Sequence, residues 1–149
     1  MKQKMTLKSR ALRYLSIREY SVRELVRKLS PFASSEEDLG ALMEWLQEKG
    51  FLSESRFAEA YVRRQSVRYG NARILRELRN RGISDAILRD AESEMREDEF
   101  ARAWQVWLKK FGRKPSDIRE QARQIRFLQQ RGFSGDIISQ VMRSKALPD

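Results

Sequence analysis

The sequence predicts an all-α protein made of tandem three-helix repeats with an elongated, thin-cored shape. Three observations support this prediction. Apolar residues recur at helical spacing in nearly every segment. Gly and Pro fall between these segments, and one junction pattern recurs along the chain. In addition, 149 residues with 40% hydrophobic and 35% charged side chains are a lean supply for a single compact core.

The first repeat is predicted over residues 5–51. Two short helices, Leu7 to Leu15 and Ser21 to Leu29, precede a longer one that starts after Ser34 and Ser35. Its apolar residues have the i, i+3, i+4, i+7 spacing of one helix face: Leu39, Leu42, Met43 and Leu46. Ser35 with Asp38 predicts a capping box, and Gly50 predicts the C-terminal stop.

The second repeat is predicted over residues 52–97. Ser53 begins a helix that buries Phe57, Ala58, Tyr61 and Val62 and that ends at Gly70 or Asn71. Asn71 is a candidate N-cap for the next helix. That helix buries Ile74, Leu75 and Leu78 and stops at Gly82, after which Ser84 caps a third helix containing Ile87, Leu88 and Ala91.

The third repeat is predicted over residues 98–145 and completes nine helices. The apolar residues of its first helix are Phe100, Ala103, Trp104, Trp107, Leu108 and Phe111. Those of the second are Ile118, Ala122, Ile125 and Leu128, and those of the third are Ile137, Ile138 and Val141. Helical spacing of the tryptophans favours core packing over base stacking.

One junction recurs as LQEKGFLS at 46–53, LRNRGIS at 78–84 and LQQRGFS at 128–134. A buried Leu precedes a basic last turn, which suits the helix dipole. Gly then takes the left-handed C-terminal position, an apolar residue folds back, and Ser caps the next helix. The shared pattern indicates repetition of one structural unit.

The charge pattern indicates a polyanionic partner. The net charge is +10, and it alternates along the chain. Residues 1–30, 31–60, 61–83, 84–100 and 101–149 carry +7, −5, +6, −5 and +7. Basic patches of this kind are typical of proteins that bind nucleic acid or an acidic protein surface.

Composition argues against an enzyme. The sequence has no Cys and no His, which removes thiolate chemistry, the usual general base and the commonest metal ligand. No Gly is followed by Lys-Ser or Lys-Thr, so the sequence lacks a Walker A loop. We therefore expect no catalytic residue, no cofactor and no metal. We also expect a cytoplasmic monomer that does not bind a membrane, because no long apolar run and no secretory signal are present.

Arginine stripes are the candidate binding residues. Arg73, Arg76 and Arg79 are predicted to lie on one helix face, away from the apolar residues of that helix. Similar single-sign stripes occur on the preceding helix and late in the chain, and arginine forks suit phosphate or carboxylate. The candidates for DNA or filament binding are Arg56, Arg63, Arg64, Arg68, Arg73, Arg76, Arg79, Arg119, Arg123 and Arg126.

Two segments, KGFLSESRFAEAYVRR at 49–64 and RYGNARILRELRNRGIS at 68–84, resemble the RecX family of bacterial recombination regulators. The segments ALRYLSIREYSVRELVRKL at 11–29 and RQIRFLQQRGFSGDIISQVM at 123–142 resemble the ends of the family. The family often has Gly before the Tyr-Gly pair and Pro after it. Here those positions hold Arg68 and Asn71.

The resemblance implies three tandem three-helix repeats in a curved, elongated body. It also implies a regulator of RecA that docks in the groove of the RecA–DNA filament and blocks its extension or promotes its disassembly. Weak, non-specific binding of single- and double-stranded DNA is expected, and ATP would belong to RecA. Two alternatives stay open: a helix-turn-helix DNA-binding repressor, and a helical-repeat adaptor for an acidic protein.

Overall fold

The computed structural model describes residues 5–145, and within that range it contains nine α-helices, one short 3-10 helix and no strand. The α-helices are α1 Leu7–Ile17, α2 Val22–Leu29, α3 Glu36–Glu48, α4 Glu54–Gln65, α5 Asn71–Asn80, α6 Asp85–Arg96, α7 Glu99–Lys110, α8 Ile118–Gln130 and α9 Gly135–Arg143. The 3-10 helix, Ser30–Phe32, follows α2. The predicted all-helical fold is confirmed.

The helix ends follow the recurring junction. Glycine has a positive φ at all three copies, 79° at Gly50, 85° at Gly82 and 92° at Gly132. In each copy the N–H after the glycine donates to the carbonyl of the Leu five positions earlier, at 2.9–3.2 Å. Side chains of serine cap the following helices; these are Ser53, Ser84 and Ser134. Each junction is thus fixed by bonds between residues that are three or five positions apart in sequence.

Each of the three repeats has its own hydrophobic core. The first contains buried residues between Ala11 and Leu52, the second between Phe57 and Met95, and the third between Ala103 and Val141. The accessible surface of 10379 Å² exceeds the roughly 7,900 Å² expected of a compact monomer of this mass. The structure is three tandem three-helix repeats in an elongated arrangement. The boundaries 5–51, 52–97 and 98–145 stay a prediction.

The predicted core face of α8 is wrong in its first two turns. Ile118 is 84% exposed and Ala122 is also exposed. Gln124 is instead fully buried. Its Oε1 accepts a hydrogen bond from Trp107 Nε1 at 2.8 Å, and its Nε2 donates to the Arg113 carbonyl at 3.1 Å. Because its polar atoms are paired inside the core, a glutamine replaces an apolar residue at little cost.

The prediction that Asn71 is the N-cap of α5 is wrong. Gly70 holds that position, and Asn71 is a buried first helical residue. Its backbone N–H donates to Glu99 Oε2 at 2.9 Å, and its Nδ2 donates to the Met95 carbonyl at 3.2 Å. Free N–H groups at a helix start need acceptors, and a carboxylate suits the dipole there. The third repeat therefore caps a helix of the second.

An arginine links each repeat to the next through the same kind of bond. At the first joint, between repeats one and two, Arg23 Nη1 donates to the Asn80 carbonyl at 2.9 Å. At the second joint, Arg73 Nη1 donates to the Gln130 carbonyl at 3.2 Å. Both pairs are 57 residues apart in sequence. In both, the acceptor lies two residues before the positive-φ glycine of a junction, so the two joints share this arginine bond.

The second joint is packed backbone against backbone. Gly70 N donates to the Arg131 carbonyl at 2.7 Å. A Cβ added to Gly70 would lie 2.4 Å from the Gly132 carbonyl oxygen. Arg102 of α7 also donates to the Ser66 and Tyr69 carbonyls at 3.2 and 3.0 Å. These contacts fix the turn between α4 and α5 against the third repeat.

Candidate nucleic-acid interface

A groove of ≈ 1090 Å³ lies at the second joint. The turn between α4 and α5, the start of α5, the second half of α7 and the end of α8 form its walls. Its cations are Arg68, Arg73, Lys109, Lys110 and Arg131, and its larger apolar side chains are Val67, Tyr69, Val106 and Phe127. A recess of ≈ 470 Å³ shares Lys110 and Phe127 with it and adds Arg123 and Arg126. We call the two together the cationic groove.

The cationic groove carries seven basic side chains, and within the described range 5–145 no carboxylate lines it. Aromatic rings partly compensate this charge. The Arg73 guanidinium lies 3.8 Å from the Tyr69 ring centroid, and that of Arg131 lies 5.0 Å from the Phe127 centroid. Lys110 Nζ is 5.6 Å from the same Phe127 ring. Cation–π contacts hold these side chains in place but leave their charge available to an anion.

Arg73 differs from the rest of its predicted stripe. Arg76 and Arg79 are exposed, whereas the Arg73 side chain is only 31% exposed because the third repeat packs against it. Its Nε also lies 3.2 Å from Glu77 Oε1. Glu77 further accepts a hydrogen bond from the Tyr61 hydroxyl. The Arg73 side chain therefore lines the groove and also bonds the second repeat to the third at the second joint.

Glu77→Gln is expected to lower the free energy of unfolding by about 1–2 kcal/mol at pH 7, because it weakens the bonds to Arg73 and Tyr61. Burial alone would raise the pKa of Glu77, but hydrogen bonds from Tyr61 and Arg73 outweigh it and lower that pKa below the ordinary 4.5. A carboxylate of this kind adds stability above the unfolded-state pKa and loses it as pH falls through the folded-state pKa. The difference between wild type and variant should therefore shrink below about pH 4.5. Urea unfolding between pH 7 and 3 measures it, and a difference independent of pH would contradict the role of the charge.

The structure brings four of the ten predicted arginines into the cationic groove: Arg68, Arg73, Arg123 and Arg126. Five more of the ten are exposed on α4, α5 and α8 but lie outside the groove: Arg63, Arg64, Arg76, Arg79 and Arg119. Arg56 lies at the first joint, where its Nε is 2.9 Å from Glu19 Oε1 and its Nη2 donates to the Gly50 carbonyl at 2.7 Å. Whether any of the ten contacts a ligand stays a prediction.

Several residues of the groove were not among the candidates predicted from sequence: Tyr69, Lys109, Lys110, Phe127 and Arg131. Two signals pointed to them. Lys109 and Lys110 are a basic pair at the end of a helix, and Arg131 holds the basic position of the recurring junction. Both were consistent with a helix-dipole role. Only the packing of α7 and α8 beside the Tyr69 turn shows that they share a surface with Arg68.

Residues 5–145 show neither a metal site nor a membrane span. No three acidic side chains there come together as metal ligands would. None of the helices in this range is long and apolar enough to cross a membrane.

Family models match two of the three repeats. The model described as the second three-helix domain of RecX matches residues 53–91, and the model of the third three-helix domain matches residues 97–142. Relatives match over nearly the full length. A regulatory protein RecX from Herminiimonas arsenicoxydans is 46% identical over 144 residues, covering 97% of this chain and 95% of the relative. Another from Ralstonia nicotianae is 44% identical, covering 95% and 89%.

Solved structures show the same fold. A crystal structure of RecX from Lactobacillus salivarius has a TM-score of 0.81 and 25% identity, and the match covers 92% of each chain. A second crystal structure, of a regulatory protein RecX, has a TM-score of 0.79 and 23% identity over 93% of this chain and 72% of that one.

Proposed function

Because the chain belongs to the RecX family of regulatory proteins, we propose that it is a negative regulator of RecA. It docks on the RecA–DNA filament, blocks extension or promotes disassembly, and so lowers recombinase, ATPase and SOS coprotease activity. The observation that carries the proposal is the cationic groove, where seven basic side chains meet and no carboxylate from residues 5–145 lines the surface. Such a surface favours a polyanion, because binding relieves the repulsion among its cations.

Phosphate, rather than base edges, is the group that this groove suits. Arginine and lysine bind phosphodiester oxygens in any sequence, and arginine does so with a planar fork. Amide side chains that could read bases are few, since among residues 5–145 only Gln105 and Gln130 line the groove. We therefore propose weak, non-specific binding of single- and double-stranded DNA, with affinity that falls steeply as salt rises.

The remaining candidates suit the protein component of the filament. Arg63, Arg64, Arg76, Arg79 and Arg119 are exposed outside the groove, so we assign them to acidic surface on RecA. Arg56 stays a weaker candidate, since Glu19 already engages it. In this proposal the chain acts in the cytoplasm as a monomer, and RecA supplies the ATP chemistry.

The test is filament assembly and ATP hydrolysis by RecA on single-stranded DNA, with this protein added at substoichiometric amounts. We expect slower hydrolysis and shorter filaments by electron microscopy, because one bound regulator affects many RecA subunits. Unchanged hydrolysis with unchanged filaments would contradict the proposal. Unchanged hydrolysis together with tight binding to one defined duplex at physiological salt would point to a repressor instead.

A further inference from the structure

We propose that the first joint carries a second phosphate-binding recess, which holds the same nucleic-acid strand as the cationic groove. The recess has a volume of ≈ 480 Å³ and lies between α2 and the end of α5. In the described part of the chain, the charged residues that line it are one acid, Glu24, and five cations: Arg18, Arg23, Arg27, Lys28 and Arg81. None of the five belongs to the arginines predicted from sequence.

The recess repeats the construction of the cationic groove. A tyrosine immediately precedes the N-cap of the second helix in both, Tyr20 before Ser21 and Tyr69 before Gly70. A guanidinium covers each ring, with Arg18 at 3.6 Å from the Tyr20 centroid and Arg73 at 3.8 Å from that of Tyr69. Each joint therefore has a tyrosine ring covered by a guanidinium, although Arg18 precedes its tyrosine in sequence and Arg73 follows its own.

The next repeat closes each site in the same way. The arginine bond of the joint forms one edge, and the basic residue before the junction glycine forms another. That residue is Arg81 in the first recess and Arg131 in the cationic groove. Tandem repeats that share a bond of this kind at each joint present corresponding positions along the chain of repeats. A single extended polyanion can therefore run from one site to the other.

The single carboxylate of the recess is already neutralised. Glu24 lies 2.8 Å from the Arg18 guanidinium and 3.7 Å from that of Arg81. Arg27 and Lys28 are both exposed, and neither has an ion-pair partner among residues 5–145. Within that range, the hydrogen bond that Lys28 Nζ donates is to the Tyr20 hydroxyl, at 3.4 Å. Arg27 and Lys28 are thus the side chains best placed to bind an added anion.

The ligand chemistry is that of a phosphodiester backbone. Tyr20 is only 4% exposed, so its ring cannot stack on a base. Besides the Asn80 amide and Glu24, the polar side chains that line the recess are cationic donors, which bind phosphate without reading sequence. This inference rests on the proposed function, since it assumes that the cationic groove holds a nucleic-acid strand.

The test compares Arg27→Ala/Lys28→Ala with a control, Arg13→Ala/Lys49→Ala. The control removes the same charge from exposed positions of the first repeat that line neither site. The probe is labelled oligo-dT of about 6 to 40 nucleotides, titrated between about 50 and 200 mM salt. Each lost phosphate contact removes roughly 0.7 from the slope of log affinity against log salt. On long probes we therefore expect the variant, which loses two contacts, to lose about 1.4 from this slope and about 25-fold in affinity at 0.1 M salt. On the shortest probes, which span one site, the variant should bind as wild type does.

Each other outcome counts against the inference in a recognisable way. If wild type binds long oligo-dT while the variant matches the control, the second recess is refuted and the proposed function stands. If wild type binds no oligonucleotide at any salt concentration, both are refuted. An equal loss on short and long probes would mean that the two recesses do not share a strand. Circular dichroism checks that each variant is folded. If Lys28 proves necessary for folding, Arg27→Ala alone replaces the double variant, and it should lose half as much from the salt slope.

Discussion

Replacing Arg68, Lys110 and Arg131 with alanine is expected to lower affinity for long single-stranded DNA about 100-fold at 0.1 M salt. Each of the three lines the cationic groove, and each lost phosphate contact removes roughly 0.7 from the slope of log affinity against log salt. The salt slope should therefore fall by about two. Fluorescence anisotropy with a labelled oligonucleotide measures both quantities.

The three substitutions should leave the fold intact. Arg68 and Lys110 are exposed, and none of the three side chains forms an ion pair within residues 5–145. The bond from Gly70 to residue 131 uses the backbone carbonyl, which alanine retains. A loss of binding can then be read as a loss of contacts. The same variant should need a correspondingly higher concentration to slow hydrolysis by RecA, since the groove is proposed to hold filament DNA.

The matched variant is Arg63→Ala/Arg76→Ala/Arg79→Ala, which removes the same charge from exposed positions outside the groove. If DNA lies in the groove, this variant should lose only the general attraction of net charge, about tenfold or less. It should still inhibit RecA poorly if those arginines contact protein. A DNA affinity loss equal to that of the groove variant would move the DNA site to the outer faces of α4 and α5.

Gly70→Ala is expected to destabilise the protein by roughly 1–3 kcal/mol and to open the second joint. The added Cβ would lie 2.4 to 2.5 Å from backbone atoms of Gly132 and Phe133. Backbone cannot rotate away as a flexible side chain can, so the two repeats must separate. The φ of Gly70 is −80°, which any residue adopts. The need for glycine therefore comes from the close approach of the repeats alone.

Gly40→Ala is the control for this substitution. Gly40 lies within α3, and a Cβ there would meet nothing within 4 Å. Alanine should stabilise that helix by about 0.5–1 kcal/mol. Urea unfolding gives both values, and hydrogen exchange at the Gly70 amide, bonded to the Arg131 carbonyl, reports on the joint directly. A Gly70→Ala variant as stable and as protected as wild type would contradict the packing described for the joint.

Features that depend on a few neighbouring residues could be predicted from sequence. Ser35, Ser53 and Ser84 cap helices as expected, since each bonds an N–H three residues away. Gly50, Gly82 and Gly132 take the left-handed conformation for an equally local reason. The apolar faces of most helices could also be predicted, because their apolar residues recur with the period of the helix.

Features that depend on contacts between repeats could not be predicted. Glu99 caps α5 from 28 residues away, and the joint of Arg73 needs a carbonyl 57 residues away. Gln124 was overlooked because a buried amide breaks the apolar pattern, and only its partner Trp107 explains it. The candidate site shows the same limit. The sequence identified its arginines as single stripes, whereas the cationic groove combines side chains from three helices and one turn.

The placement of the groove at a joint has a consequence for synthesis of the protein. Each core draws on one continuous stretch of chain, so the first two repeats can fold while the third is still being made. The groove cannot form at that stage, because Lys110, Phe127 and Arg131 are all supplied by the third repeat. A nascent chain would thus hold two folded repeats before it gains the cationic groove, so the proposed binding of DNA in this groove must wait until the third repeat has been made.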